Sequence, residues 1–362
     1  MGKRIGILTS GGDCAGLNAV LRAAVRRADA QGWDIVGVHN GTAGLMEHPV
    51  AASSLHGDLF DQALMRQGGT MLGTTNKGDP FAYPRPDGQV EDRSARVLEG
   101  YRALNLDALI GIGGDGSLGI LRALAERGGW NLVGIPKTID NDVGCTEIAI
   151  GHDTAVEVAT NALDHLQPTA ASHNRVMVLE VMGRDAGHIA LAAGVAGGAD
   201  VILLPEIPHD MAAVAAHIDA IRRAGRNFAL VVVAEAVPTE EGTSVQQHQV
   251  GGGLRYAGIG HYIGNRIAEL TSAEVRVTVL GHVQRGGQPT PRDRLMATAF
   301  GVHAVDLIAQ GQFDRMVAWQ NRQVTDVPLG DVVGRAQRVD PVGPLVQTAQ
   351  GLGISFGEVA AG

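Results

Sequence analysis

Cysteine is almost absent from this chain, with Cys14 and Cys145 the only two in 362 residues. Two isolated thiols give no disulfide framework and no C-x-x-C pair, which predicts a reducing, cytoplasmic setting. Aromatic residues make up 4% of the chain, too few for a surface that stacks on nucleic-acid bases. Positive charge is also in deficit, with 29 Lys and Arg against 38 Asp and Glu and a formal net charge of −9. Phosphate backbones are held by positive fields, so no nucleic-acid partner is expected. No apolar run is long enough to span a membrane, and Met1-Gly2-Lys3-Arg4 leads directly into a strand-like Ile5–Leu8 rather than a signal-peptide core. Thirteen histidines are present, but those such as His39, His165 and His173 lack metal-ligand spacing.

Glycine, by contrast, is abundant. The 51 glycines are scattered rather than periodic, as expected of many tight turns between strands and helices. Hydrophobic residues are 45% of the chain, enough for a substantial core. Strand-like apolar runs occur at 4–8, 34–38, 108–112, 132–135, 176–181, 201–204, 229–233 and 276–280. Helix-like stretches lie between them at 18–30, 93–104, 118–127, 154–166 and 211–223, the first with Leu17, Val20, Leu21, Ala24 and Ala28 at helical spacing. Alternating units of this kind predict an α/β protein with largely parallel sheets covered on both faces. We expect two Rossmann-like domains with the active site in the cleft between them. Residues 1–150 with about 284–335 form the larger, and 151–283 with about 336–362 the smaller.

Three segments carry candidate chemistry. Pro136-Lys137-Thr138-Ile139-Asp140-Asn141-Asp142 follows the apolar run Leu132–Ile135, so a lysine, a hydroxyl and two carboxylates crowd the carboxyl end of a strand. In an open α/β sheet ligands bind at that edge. Buried carboxylates need a metal, a cation or a proton to share, although a D-x-D alone also suits a solvated turn. Thr9-Ser10-Gly11-Gly12-Asp13-Cys14-Ala15-Gly16 joins the first strand to the first helix. It is either a tight turn or a phosphate site in which backbone N–H groups and a helix N-terminus face the anion. A second glycine turn, Gly111-Ile112-Gly113-Gly114-Asp115-Gly116-Ser117, suits a carboxylate that holds Mg²⁺ against a polyphosphate, or an Asp that caps a helix. His282 and Arg285, three apart after the last strand-like run, offer a directional donor and a bidentate fork for a phosphate monoester.

Taken together, T-S-G-G-D, G-G-D-G-S and P-K-T-I-D-N-D resemble the 6-phosphofructokinase family, in its mixed ATP and pyrophosphate group. The resemblance continues through Met182-Gly183-Arg184, Pro205-Glu206, Ala234-Glu235 and Gly281-His282-Val283-Gln284-Arg285-Gly286-Gly287, from Ile5 to about Asp293. It implies a glycolytic phosphotransferase acting on fructose 6-phosphate. Asp140 would be the general base, Thr138 would contact the transferring group, and Arg184 would stabilise its charge. Gly12, Gly114, Asp115, Gly116 and Ser117 would cradle the donor, with Asp115 and Asp142 on the Mg²⁺ side. Met182, Gly183, Arg184 and Glu235 would hold the sugar together with Thr138 and Asp140, and His282 and Arg285 its phosphate. Arg175 and Arg276 would reach that phosphate from a neighbouring subunit, so a homotetramer or homodimer is expected.

The donor is read from Gly116 and Lys137. Pyrophosphate users of the family carry an acidic residue at the first position and lysine at the second. Glycine leaves space for a nucleotide, so the expectation is ATP, with pyrophosphate the alternative. Asn76, where many ATP users have arginine, Thr42 and Ile120 imply an altered adenine pocket, and Lys77 is a candidate to replace the missing charge. A non-catalytic sugar-phosphate sensor would have lost Asp115 or Asp140. A nucleotide-cofactor or lipid kinase would not account for His282 to Arg285.

Overall fold

The structure, a computed structural model, describes residues 2–85, 87–248, 254–256 and 258–358. The chain divides into two compact units, Met1–Thr154 with Arg285–Ala336 and Ala155–Gln284 with Gln337–Gly362.

The first unit is built on a seven-stranded sheet. Its order is Gln323–Pro328, Arg315–Gln320, Leu132–Pro136, Ala108–Gly113, Arg4–Thr9, Asp34–Val38 and Ala52–Leu55. The central strands are parallel and the two outermost pairs are antiparallel. Central burial explains the unbroken apolar runs: all six residues of Ala108–Gly113 and the last five of Arg4–Thr9 are buried. Helices Leu17–Asp29 and Pro291–Ala309 pack against each other. A Cβ at Gly301 would lie 2.7 Å from the Val20 carbonyl oxygen, so only glycine permits that approach. Elsewhere, Leu118, Leu121 and Leu124 of helix Asp115–Gly128 join Leu98, Tyr101 and Trp130 in one apolar cluster, where Tyr101 stacks on Trp130 at 4.2 Å. Each such buried side chain contributes roughly 1.5–3 kcal/mol.

The second unit holds a four-stranded, wholly parallel sheet in the order Val275–Val279, Val176–Val181, Ala229–Ala234 and Val201–Leu203. Helix Met211–Arg223 is capped by Asp210, whose Oδ1 accepts from the Ala212 N–H. The start of helix Ile259–Thr271 is held by the buried Glu180, which accepts from the Gly258 and Gly260 N–H groups.

The α/β, largely parallel expectation holds, and several elements extend it. Helix His152–His173 runs through Pro168, where an end near 166 was expected. The fully buried Ala159 and Ala170 on either side anchor it, so packing outweighs the backbone bond that proline cannot make. Helix Asp115–Gly128 begins three residues earlier than its periodicity implies, because Asp115-Gly116-Ser117 carries no apolar signal. Among the described residues no helix is long and apolar enough to cross a membrane.

Candidate active site

In the first unit the three motifs meet at one sheet edge. Strand order runs outward in both directions from the pair Arg4–Thr9 and Ala108–Gly113, so the two glycine turns leave neighbouring strands at a topological switch point. Leu132–Pro136 is the next strand along and delivers Lys137 to Asp142 beside them.

Backbone bonds shape the first turn. Ser10 N–H donates to Ile112 O at 2.9 Å and Gly11 N–H to Thr75 O at 2.9 Å. Gly11 is left-handed, with φ 85°. Two cations close on this turn. Lys137, 4% exposed, donates from Nζ to Gly12 O, and Arg285 donates from Nη1 to Asp13 O at 3.1 Å. A Cβ at Gly12 would lie 2.6 Å from Arg285 Nη1, so the absent side chain admits the guanidinium. Burial pulls the Lys137 ammonium below the usual lysine value; Arg285 acts in the same direction, while Asp140 and Asp13 oppose it. Burial pushes the neighbouring Cys14 thiol up to about 12, which keeps it protonated and unreactive near neutral pH.

The Lys137–Asp142 loop is pinned from both sides. Lys137 N–H donates to Gly113 O at 3.0 Å and Thr138 N–H to Ile150 O at 3.1 Å, while Ile150 N–H returns to Pro136 O at 3.2 Å. Thr138 Oγ1 accepts from the Asp140 N–H. Asn141 is left-handed at φ 54° and is 8% exposed. Its side chain donates to Glu147 O and accepts from the Ala149 N–H. Asp140, 7% exposed, is thus held on a fixed backbone, and Asp142 is half-buried. Asp115 opens its helix behind Gly114, the N-cap residue, and its Oδ1 accepts from the Gly334 N–H at 2.8 Å. Ser117 packs under Gly11 and Gly113. No atom lies within 4 Å of a Cβ built on Gly116, so that position faces open space. Asn76 and Lys77 are exposed next to Thr75; Thr42 is buried, and Ile120 packs against the core.

In the second unit Met182, Glu235 and His282 line a pocket of about 150 Å³, with Glu180, Tyr256 and Gly281 also in its wall. It opens at the carboxyl ends of Val176–Val181, Ala229–Ala234 and Val275–Val279. One Glu235 oxygen accepts from the N–H groups of Gly183 and Arg184, and Gln284 Oε1 accepts from the Met182 N–H. Arg184 is left-handed at φ 54°, and its exposed side chain lies 3.8 Å from Asp185. Tyr256 donates to Asp185 Oδ1 at 2.7 Å, and that bond, ahead of burial, pushes its phenol up to about 12.

Arg175 and Arg276 sit elsewhere. Both pair with Glu274 at the amino ends of strands Val176–Val181 and Val275–Val279, whose other ends carry Met182 and His282. Strands of six and five residues separate the two ends by about 17–20 Å. Within one chain these arginines are not brought to the His282 pocket. Arg285, expected to share a ligand with His282, donates one guanidinium N–H to the Asp13 carbonyl. The motif reading gave no role to Asp13, Thr75, Tyr256 or Gln284. Only Asp13 and Gln284 stood inside quoted motifs, and Tyr256 carried no motif signal.

Two glycine turns, a buried lysine and a fixed carboxylate meet at one switch point of an α/β sheet, the edge at which such folds bind ligands. Residues 4–308 match the family model described as phosphofructokinase. The chain is 62% identical over 356 residues to ATP-dependent 6-phosphofructokinase 1 of Synechocystis, covering 98% of each. It therefore belongs to the phosphofructokinase family. Among solved structures, Pichia pastoris phosphofructokinase in the T-state aligns with a TM-score of 0.79 at 28% identity, over 92% of this chain and 35% of that one. Pyrophosphate-dependent phosphofructokinase from Nitrosospira multiformis gives the same TM-score at 21% identity, over 98% of this chain and 92% of that one, a likeness of fold alone.

Proposed function

We propose that this chain is an ATP-dependent 6-phosphofructokinase, transferring a phosphoryl group to the 1-hydroxyl of fructose 6-phosphate in cytoplasmic glycolysis. The observation that carries the reading is the convergence of Gly12, Asp115 and the Lys137–Asp142 loop at adjacent strand ends. ATP as donor is supported by the near full-length likeness to a relative named ATP-dependent and by the open space at Gly116.

Phosphoryl transfer needs positioning and charge neutralisation more than covalent chemistry from the protein. Asp140 would take the proton from the attacking hydroxyl, and its fixed backbone limits the orientations it must search. The Gly11–Gly12 turn would receive donor phosphate oxygens, with Lys137 beneath it as counter-charge and Thr138 at the transferring group. Among the described residues no three His, Cys, Asp or Glu side chains cluster as a metal site. Asp115 and Asp142 would hold Mg²⁺, which commonly takes one or two carboxylates and completes its shell with phosphate oxygens and water. Bound there, Mg²⁺ would neutralise donor charge.

Met182, Gly183, Arg184 and Glu235 would hold the sugar, and His282 its phosphate. Arg285 uses one guanidinium nitrogen on the Asp13 carbonyl, which leaves its other N–H donors for the sugar phosphate. Arg175 and Arg276, at the far end of their own sheet, would serve a neighbouring subunit's phosphate in a homotetramer or homodimer. A coupled assay with fructose 6-phosphate tests the reading. Turnover is expected with ATP and little with pyrophosphate; faster turnover with pyrophosphate would reverse the donor, and none with either would overturn the function.

A further inference from the structure

Asp293 is fully buried in the first turn of helix Pro291–Ala309, far in sequence from the Pro136–Asp142 segment. Its Oδ1 accepts from the Gly151 N–H at 2.9 Å, and its Oδ2 accepts from the Thr154 N–H at 2.9 Å and from the Thr154 hydroxyl at 2.5 Å. Thr290 completes the knot: its N–H donates to Thr154 Oγ1 and its hydroxyl to Asp153 Oδ2. The segment so fixed, Gly151–Thr154, directly follows Ile150. Ile150 is the residue that pairs with Pro136 and Thr138 on either side of Lys137. Within the fixed segment, the His152 ring also bonds the Ile139 carbonyl at 2.8 Å.

We infer that Asp293 is a positioning residue for the reaction proposed above, setting the Lys137–Asp142 loop through Ile150 and His152. It touches no reacting atom. The inference rests on that functional reading only for its activity arm. A carboxylate is required because both oxygens face backbone N–H donors. An asparagine of the same shape would point an N–H₂ group at one of those donors in either orientation. A buried donor then lacks its acceptor, and the strand-like pairing of Ile150 loses its anchor.

The test compares wild type with Asp293→Asn and Thr154→Ala. Turnover should fall about 10²-fold in Asp293→Asn per folded molecule, the scale of a displacement near 1 Å at a reacting group. The fructose 6-phosphate and ATP KM values should stay within about threefold, because most of the proposed binding groups lie outside the disturbed loop. Amide exchange at Ile139–Asn141 should quicken in the same variant, a readout that needs no substrate and stands if the proposed reaction fails. Thr154→Ala, which removes a hydroxyl that donates to Asp293 and accepts from the Thr290 N–H but leaves the backbone bonds to Asp293, should move both readouts in the same direction by less, and it carries the test if Asp293→Asn does not fold. Unchanged turnover per folded molecule with unchanged exchange at 139–141 would overturn the inference. So would a loss explained entirely by rising KM.

Discussion

Lys137, Asp140 and Asn141 in the first unit are 4, 7 and 8% exposed, and backbone bonds to neighbouring segments lock their loop. In the second unit the side chains of Arg184 and Arg276 are 69 and 55% exposed, and their carboxylate partners are themselves about half exposed. The loop of the first unit is built before any ligand arrives; the second unit presents long, solvated cations at the two opposite ends of its sheet. Fixed geometry serves a step whose rate depends on placement to within an ångström. Solvated arginines suit recognition of a phosphate monoester, where a bidentate fork adapts to its target. The comparison predicts that damage to the locked Lys137–Asp142 loop appears in kcat and damage to the solvated arginines of the second unit in the sugar-phosphate KM.

The largest effect short of removing the base is expected at Lys137. Lys137→Met replaces the buried ammonium by an apolar chain of similar length, and kcat should fall about 10²–10³-fold, as when one charge-stabilising donor is lost. Because burial lowers the Lys137 pKa, its proton leaves at a pH below the ordinary lysine range. The alkaline limb of wild-type turnover should therefore begin below that range, and Lys137→Arg, charged throughout, should lack it. A wild-type profile that matches Lys137→Arg would remove Lys137 from the chemistry.

Arg276→Ala comes next. Its exposed pair with Glu274 contributes little to folding, so the melting temperature should hold. The fructose 6-phosphate KM should rise about 10–100-fold with kcat nearly kept, the loss expected for a desolvated charge pair. A fall in kcat at unchanged KM would break the division between the units. Gly116→Glu is expected to be the mildest for the fold, since the position faces open space and surface changes usually stay within about 0.5 kcal/mol. ATP KM should rise about tenfold or more while fructose 6-phosphate KM stays, which steady-state kinetics would show. An unaltered ATP KM would detach Gly116 from donor choice.

Much of this was legible in the sequence because buried parallel strands read as continuous apolar runs. Ala108–Gly113 and Val176–Val181 have that form, and the glycine turns after strands marked the sheet edge. The hairpin Arg315–Gln320 and Gln323–Pro328 was not legible. Its turn uses Asn321 and Arg322, both left-handed at φ 51° and 64°, without the glycine that normally announces such a turn. At the site, the residues of Pro136–Asp142 were named, but what fixes them was not. Ile150, His152 and Asp293 act through bonds that span up to 142 positions, and no local pattern encodes them. Arg285 shows the same limit, because its contact with the Asp13 carbonyl, 272 positions away, follows from the fold and not from its spacing to His282.

The central claim is that a pre-set carboxylate performs the chemistry while separate groups hold the sugar. Asp140→Asn tests it most directly, with turnover and calorimetric binding of fructose 6-phosphate measured on the same preparation. Turnover with ATP should fall about 10³-fold, within the range expected for loss of a general base, and the sugar's Kd should stay within about threefold of wild type. Wild-type turnover in Asp140→Asn, or loss of sugar binding in step with activity, would contradict it.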